Sequence, residues 1–287
     1  MRMAVGNLPP VKRLMNMILR DLKIPQSTLS FITYPTRFDT REVERALKGS
    51  KISVPALDSY AWRLWDYWER HLDPDLFVDR SLRGKVENKV VVITGGSSGI
   101  GKAAAIKVAE AGAVVVIAAR GEEELEATRK EICDAGHKCF AYKADLADLD
   151  SCDALIAQVV KNHGAVDVLI NNAGRSIRRS IELSFDRFHD FERTMQLNYF
   201  GSLRLIMQSL PSMIAKRRGH IINISSIGVL ASSPRFSAYV ASKAALDAFS
   251  HCAQGELSGK GISFTTINMP LVKTPMIAPT KMYDSVP

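Results

Sequence analysis

Tyr239 and Lys243 stand four residues apart in YVASK, inside a run with helical spacing, so both side chains project from one helix face. A phenol ordinarily ionises near ~10, too high for efficient proton exchange at neutral pH. An ammonium beside it favours the phenolate and would bring Tyr239 towards general acid–base use. Ser226 lies thirteen residues before Tyr239, at the end of the strand-like run HIINIS, where its hydroxyl could donate to a carbonyl oxygen. The chemistry these three residues suit is proton traffic at a carbonyl or alcohol oxygen.

A second constellation handles phosphate. The run VVVIT leads directly into TGGSSGIG, with Gly95, Gly99 and Gly101 at G-x-x-x-G-x-G spacing, and a helical stretch follows. Gly95 permits the tight turn, Gly99 lets the backbone approach a pyrophosphate, and Gly101 lets the helix pack close to the strand. The pyrophosphate would sit on the helix N-terminus, where free N–H groups and the dipole favour negative charge. The next strand-like run, VVVIAAR, ends in Ala119 and Arg120 where an NAD site would carry an acidic residue for the ribose 2′-OH. Arg120 can instead pair with a 2′-phosphate, so NADP(H) is the expected cofactor, with Ser97 or Lys102 assisting. NNAG (Asn171 to Gly174) follows a fourth strand-like run.

Positioning these groups requires a parallel sheet. From Lys89 onward, VVVIT, VVVIA, CFAYK, DVLIN, HIINIS and SFTTIN alternate with helical stretches such as GKAAAIKVAEAG, EEELEATRKEICDAG and SAYVASKAALDAFSHCAQGEL. Continuous apolar strands separated by helices imply an α/β, doubly wound, Rossmann-type sheet covered on both faces. Residues 87–287 are read as this NADP-binding domain. Residues 1–86 are read as a mostly helical N-terminal segment and connector. That segment holds all three tryptophans, in YAWRLWDYWERHL, read as a packing helix. Its early run VKRLMNMILRDLKI is a short basic amphipathic helix, suited to burial against a neighbour or to peripheral contact with a membrane.

Composition narrows the partners. The net charge of +8 favours anionic ligands, but no helix or ribbon carries the dense basic stripe of a nucleic-acid binder. Cys133, Cys139, Cys152 and Cys252 form no CxxC pair and no metal-ligand spacing with histidine, so neither a disulfide scaffold nor a metal site is expected. No secretory core follows Arg2, Lys12 and Arg13, and no run is apolar for long enough to span a bilayer, so the expectation is a reduced, cytoplasmic protein.

TGGSSGIG, NNAG, the LNYFG segment and SSIGVLASSPRFSAYVASK, in this order and spacing, resemble the short-chain dehydrogenase/reductase family over about Lys89 to Met276. The resemblance implies that Tyr239 is the proton donor and that Lys243 binds the nicotinamide ribose and tunes Tyr239. It implies that Ser226, rather than Ser225, polarises the carbonyl, and that Asn198 holds a water leading to Lys243. Gly95, Ser97, Ser98, Gly99, Ile100 and Gly101 would cradle the cofactor phosphates. Asp145 and Leu146 would lie near the adenine; Asn172, Ala173, Gly174, Pro270 and Thr274 would line the rest of the cofactor.

The longer run NNAGRSIRRSIELSFDRFHDFERTMQLNYFG, with FSAYVASKAALDAFS and MPLVKTPMIAPTKMY, is similar to bacterial long-chain fatty acyl-CoA reductases of this family. WDYWERHLDPDLF resembles the junction in two-domain fatty acyl reductases. This likeness implies NADPH-dependent reduction of a fatty acyl-CoA to a fatty aldehyde, without a cysteine nucleophile. Arg175, Arg178 and Arg179 would then meet the CoA phosphates, or form a solvated basic turn. Two other readings stay open: a ketone or secondary-alcohol oxidoreductase using the same residues, and a non-catalytic NADP-binding fragment. The Ala-rich face of SAYVASKAALDAFSHCAQGEL suggests a homo-oligomer. The family has Pro-Gly where this chain has Pro270-Leu271. Residues 275–287 read as the start of an apolar substrate lid in a domain that ends early.

Overall fold

The computed structural model describes residues 17, 39–53, 55–72 and 79–277. The basic amphipathic run near the N-terminus, apart from Met17, and the Met- and Pro-rich stretch beyond Ile277 lie outside the described residues. The chain divides into two compact units, Met1–Leu76 and Phe77–Pro287.

The described part of the first unit is helical. Helix α1 spans Arg41–Leu47 and α2 spans Ala61–Tyr67, continuing as a π-helical turn over Trp68–Leu72. The tryptophan helix forms, but its expected packing face is not buried: Trp62, Trp65 and Trp68 stay 61%, 62% and 41% exposed. Three-residue spacing spreads the indoles around the helix instead of stacking them on one stripe. Trp65 and Trp68 cover each other at 5.5 Å between ring centroids.

The second unit begins its packed structure at a short helix, α3 (Leu82–Val86), whose Val86 is buried. Six strands follow: β1 Val90–Thr94, β2 Val114–Ala119, β3 Cys139–Lys143, β4 Val168–Asn171, β5 Gly219–Ser226 and β6 Ile262–Met269. They form one sheet in the order β3-β2-β1-β4-β5-β6, every pair parallel. All six match the strand-like runs read from sequence to within a residue or two.

Helices cover both faces: α4 Gly99–Glu110, α5 Glu122–Asp134, α6 Leu149–His163, α7 His189–Met195, α8 Ser202–Ala215, α9 Ile227–Ala231 and α10 Ser237–Leu257. A π-helical segment, Gln196–Gly201, joins α7 to α8. Strand alternation explains why both sides are dry. Val90 and Val92 of β1 join one core with Leu155, Leu205 and Leu246. Val91 and Ile93 join the opposite core with Ala105, Leu125 and Ile132.

The chain runs outward from β1 to β3, then crosses to β4 on the other side of β1. At that reversal the segments leaving the carboxyl ends of β1 and β4 diverge, and a ligand crevice opens between them.

Candidate active site

The crevice has a volume of about 1010 Å³ and is lined by the glycine loop, the turn after β4, the end of β5, α10 and the segment after β6. Gly95 and Gly99 adopt φ of 66° and 53°, a left-handed backbone that glycine enters at little cost. Gly101 serves a different need. A Cβ there would overlap the Gly95 carbonyl oxygen and approach Asn172 Nδ2 to 2.5 Å. The N-terminus of α4 therefore opens on a floor of backbone, and Ser98, its N-cap, makes no side-chain cap bond to cover the free N–H groups. That cradle fits a pyrophosphate.

Sequence reasoning missed Thr94. Its hydroxyl donates to the Ile170 carbonyl (3.3 Å) and accepts from the backbone N–H groups of Asn172 and Ala173, both at 3.0 Å. Asn172 Nδ2 donates back to the Thr94 carbonyl at 2.9 Å. The β1 and β4 turns are thus clipped together under the crevice. The signal in the sequence was a threonine closing an otherwise aliphatic strand.

Of the cofactor residues read from sequence, Gly95, Ser97, Ser98, Gly99, Ile100, Arg120, Leu146, Asn172, Ala173, Gly174, Pro270 and Thr274 line the crevice. Asp145 does not: its carboxylate accepts from the Ala147 backbone N–H at 3.0 Å and closes its own turn. Lys102 is tied to Glu131 at 2.6 Å, leaving Arg120 as the guanidinium at the end of β2.

Ser226, Tyr239 and Lys243 share the crevice wall. Ser226 caps α9, its hydroxyl accepting from the Gly228 N–H at 3.1 Å. Burial pushes the Tyr239 phenol up from its ordinary pKa, opposed by a hydrogen bond with Ser226. This direction is opposite to the one expected from YxxxK spacing, because desolvation outweighs any effect of the lysine. At neutral pH Tyr239 is therefore a protonated donor, the form that reduction needs. Burial also pulls Lys243 down to about 8, against the opposing charge of Asp247. Its Nζ donates to the Ile224 carbonyl at 2.7 Å.

Asn198, fully buried in the π-helical segment, stands behind the crevice wall. Its Oδ1 accepts from the Arg175 N–H at 2.8 Å, and its Nδ2 donates to the Arg175 carbonyl and to Ser242 Oγ, both at 2.9 Å. Ser242 in turn donates to the Tyr239 carbonyl at 2.7 Å. One buried amide thus fixes the turn after NNAG relative to the helix that carries Tyr239.

The three arginines after NNAG separate. Arg175 and Arg178 line the crevice, and neither has a carboxylate partner among the described residues. Arg179 lies 3.4 Å from Asp190, a buried carboxylate that also holds Arg187 at 3.1 Å and Arg193. Its backbone N–H donates to the Arg235 carbonyl at 2.7 Å. Of the two readings open for Arg179, phosphate ligand or solvated basic turn, the structure instead pairs it with Asp190, eleven residues further along the chain. Burial works to raise Asp190, but Arg187 and Arg193 outweigh it and hold the carboxyl below its usual range.

The thiols stand apart from this chemistry. Burial pushes Cys139 and Cys152 up to about 12, and no cysteine lines the crevice. Among the described residues no cluster of three metal-binding side chains occurs, and no helix is long and apolar enough to cross a membrane.

A parallel sheet with a glycine cradle at its reversal, and a serine, tyrosine and lysine on the facing wall, defines a nicotinamide-dependent oxidoreductase. The chain belongs to the short chain dehydrogenase family, whose model matches residues 89–283. It is 57% identical over 205 residues to a fatty acyl-CoA reductase of Acinetobacter baylyi, covering 71% of this chain and 70% of that one. It is 51% identical over 251 residues to an uncharacterized oxidoreductase of Mycobacterium tuberculosis, covering 86% and 73% of the two chains. Among solved structures, a metagenomic short-chain oxidoreductase in complex with NADP matches with a TM-score of 0.61 and 34% identity, over 64% of this chain and 82% of that one. An actinorhodin polyketide ketoreductase with NADPH matches at 0.65 and 31%, over 69% and 77%.

Proposed function

We propose that this protein uses NADPH to reduce long-chain fatty acyl-CoA to fatty aldehyde. The observation that carries the reading is the 57% identity to the Acinetobacter baylyi fatty acyl-CoA reductase over 205 residues. Arg120 at the end of β2, with no acidic residue beside it at that position, supports NADPH over NADH, as do the two NADP-type neighbours.

Bound NADPH supplies the hydride for the thioester carbon. The protein's own work lies at the oxygen. Ser226 and Tyr239 converge on it from one wall, donating hydrogen bonds that strengthen as negative charge develops. The Tyr239 proton passes to that oxygen, and Lys243, charged below about 8, lends a positive field to the phenolate left behind. The resulting hemithioacetal collapses: its hydroxyl proton returns to the Tyr239 phenolate as the carbonyl re-forms, the C–S bond breaks, and CoA leaves as thiolate that takes a proton from solvent, with aldehyde remaining. No enzyme–substrate bond is needed, in keeping with the cysteine-free crevice. Asn198, whose amide is committed to Arg175 and Ser242, serves by fixing the loop and helix that frame the pocket.

Arg178 offers the CoA phosphates a guanidinium at the crevice wall that has no carboxylate partner among the described residues. Replacing Arg178 with Ala should raise KM for acyl-CoA by roughly tenfold, about one charge-assisted contact, while KM for a free long-chain aldehyde stays unchanged. Equal effects on both substrates would remove the phosphate assignment. The exposed Ala241 and Ala248 on α10 keep a homo-oligomer within the same proposal.

A further inference from the structure

Beneath the reaction site, α10 and β5 share a buried polar seam that the chemistry above leaves unused. Asp247 lies one helical turn beyond Lys243 on the same face of α10. Its Oδ2 accepts from Ser225 Oγ at 2.8 Å. Its Oδ1 is inaccessible to solvent and has no hydrogen-bond partner among the described residues. A carboxylate placed this way costs free energy unless a nearby cation repays it.

Lys243 is a cation whose charge acts on Asp247 across a gap wider than a direct ion pair. It is 4% exposed, and among the described residues its one hydrogen bond runs to the Ile224 carbonyl, a neutral acceptor. The residue after Ile224 is Ser225, which holds Asp247, and the next is Ser226. Lysine, carboxylate and reactive serine are therefore fastened to three consecutive residues of one strand end.

We propose that Asp247 is a positioning residue of this site: anchored by Ser225 one turn beyond Lys243, it supplies the negative field that favours the charged form of Lys243 at the end of β5, beside Ser226.

The charges around the pair support the assignment. On α10, His251 is the other titratable group that acts on Asp247, and it lies one turn further on. Strand β6 (ISFTTINM) and helix α9 (IGVLA) pack on this region and carry no titratable residue. Helix α7 also packs on α10 and carries His189, Asp190, Glu192 and Arg193, of which His189 and Arg193 pair with Asp190. In the π-helical segment the one titratable side chain is Tyr199. Burial pushes Asp247 up, opposed by Ser225, Lys243 and His251, and Asp247 in return opposes the fall of Lys243. Neutralising Asp247 must therefore lower the pKa of Lys243.

The direct readout is the Lys243 titration in the cofactor-free full chain, followed by NMR of ¹³C-labelled lysine side chains and assigned by loss of the signal in Lys243→Ala. The native chain should titrate near 8. Asp247→Asn should titrate lower by about one unit or more, and Asp247→Glu should return most of the shift. The alkaline limb of kcat/KM for any carbonyl that the enzyme reduces should move in parallel. If Asp247→Asn does not fold, Asp247→Ser removes the charge with a smaller side chain and is read in the same way. An unchanged Lys243 titration in a folded, charge-neutral variant overturns the proposal. Because the NMR arm uses no substrate, it stands or falls independently of the acyl-CoA assignment.

Discussion

Replacing Tyr239 with Phe should lower kcat by ~10²–10⁴-fold, the usual range for loss of a positioned proton donor. NADPH affinity should persist, because phenylalanine keeps the ring that fills the wall. Three features of the site make this the largest catalytic effect. The phenol is held above its ordinary pKa by burial, so it enters the reaction carrying its proton. Ser226 is its hydrogen-bonding neighbour in the crevice and cannot replace it, since an alcohol is a far weaker acid. Among the described residues no histidine, aspartate or cysteine lines the crevice, and the one acidic side chain there, Glu124, belongs to α5, well apart in sequence from the Ser226–Tyr239 wall. Steady-state kinetics with a fluorescence titration of NADPH separates the outcomes. Retention of more than about a tenth of native kcat would move the proton donor elsewhere.

Gly101→Val should be the most damaging single change to cofactor binding. The added Cβ meets backbone at Gly95 and the side chain of Asn172, and neither can swing aside. Asn172 is bonded to Thr94, and the Gly95 N–H is bonded to the Ala118 carbonyl at 2.7 Å. Strain must therefore pass into the glycine loop, lifting it from the end of β1 and closing the phosphate cradle. Overpacking of this kind costs about 1–3 kcal/mol, or roughly 2–12 °C in Tm for a domain of this size. NADPH should bind at least ~10-fold more weakly, a loss of about 1.4 kcal/mol. Thermal melting with and without NADPH reads both effects. A variant with native Tm and the full ligand-induced stabilisation would show that close helix–strand packing at Gly101 is not what shapes the cradle.

Much of this was legible in the sequence because it is local. Short β-branched runs separated by helical stretches gave the six parallel strands nearly to their ends. The fixed offsets of Gly95, Gly99 and Gly101, and of Ser226, Tyr239 and Lys243, placed both halves of the site on one crevice. What sequence reasoning missed is set by contacts between segments distant along the chain. Arg179 reads like Arg178 in the run RSIRR, yet Asp190 pairs with Arg179 while Arg178 lines the crevice. Asn198 was read as a water ligand; that its amide also bonds Arg175 and Ser242, joining the NNAG turn to α10, is a contact no motif announces. Tyr239 was expected to be made more acidic by its neighbour, and burial, which no spacing rule reports, reverses the direction. Thr94 opens TGGSSGIG without being one of its spaced glycines, Asp247 belongs to no motif, and their roles emerge only when β1 meets β4 and α10 meets β5.

The acyl-CoA assignment is tested most directly by following thiol release and NADPH oxidation together, with palmitoyl-CoA as the sole carbonyl substrate. Thioester reduction predicts one free CoA thiol for each NADPH consumed in the first reduction, with fatty aldehyde accumulating in step and the signal absent in Tyr239→Phe. NADPH-dependent turnover of ketones with no thiol released from palmitoyl-CoA would contradict the account and assign the same site to a ketone or secondary-alcohol oxidoreductase.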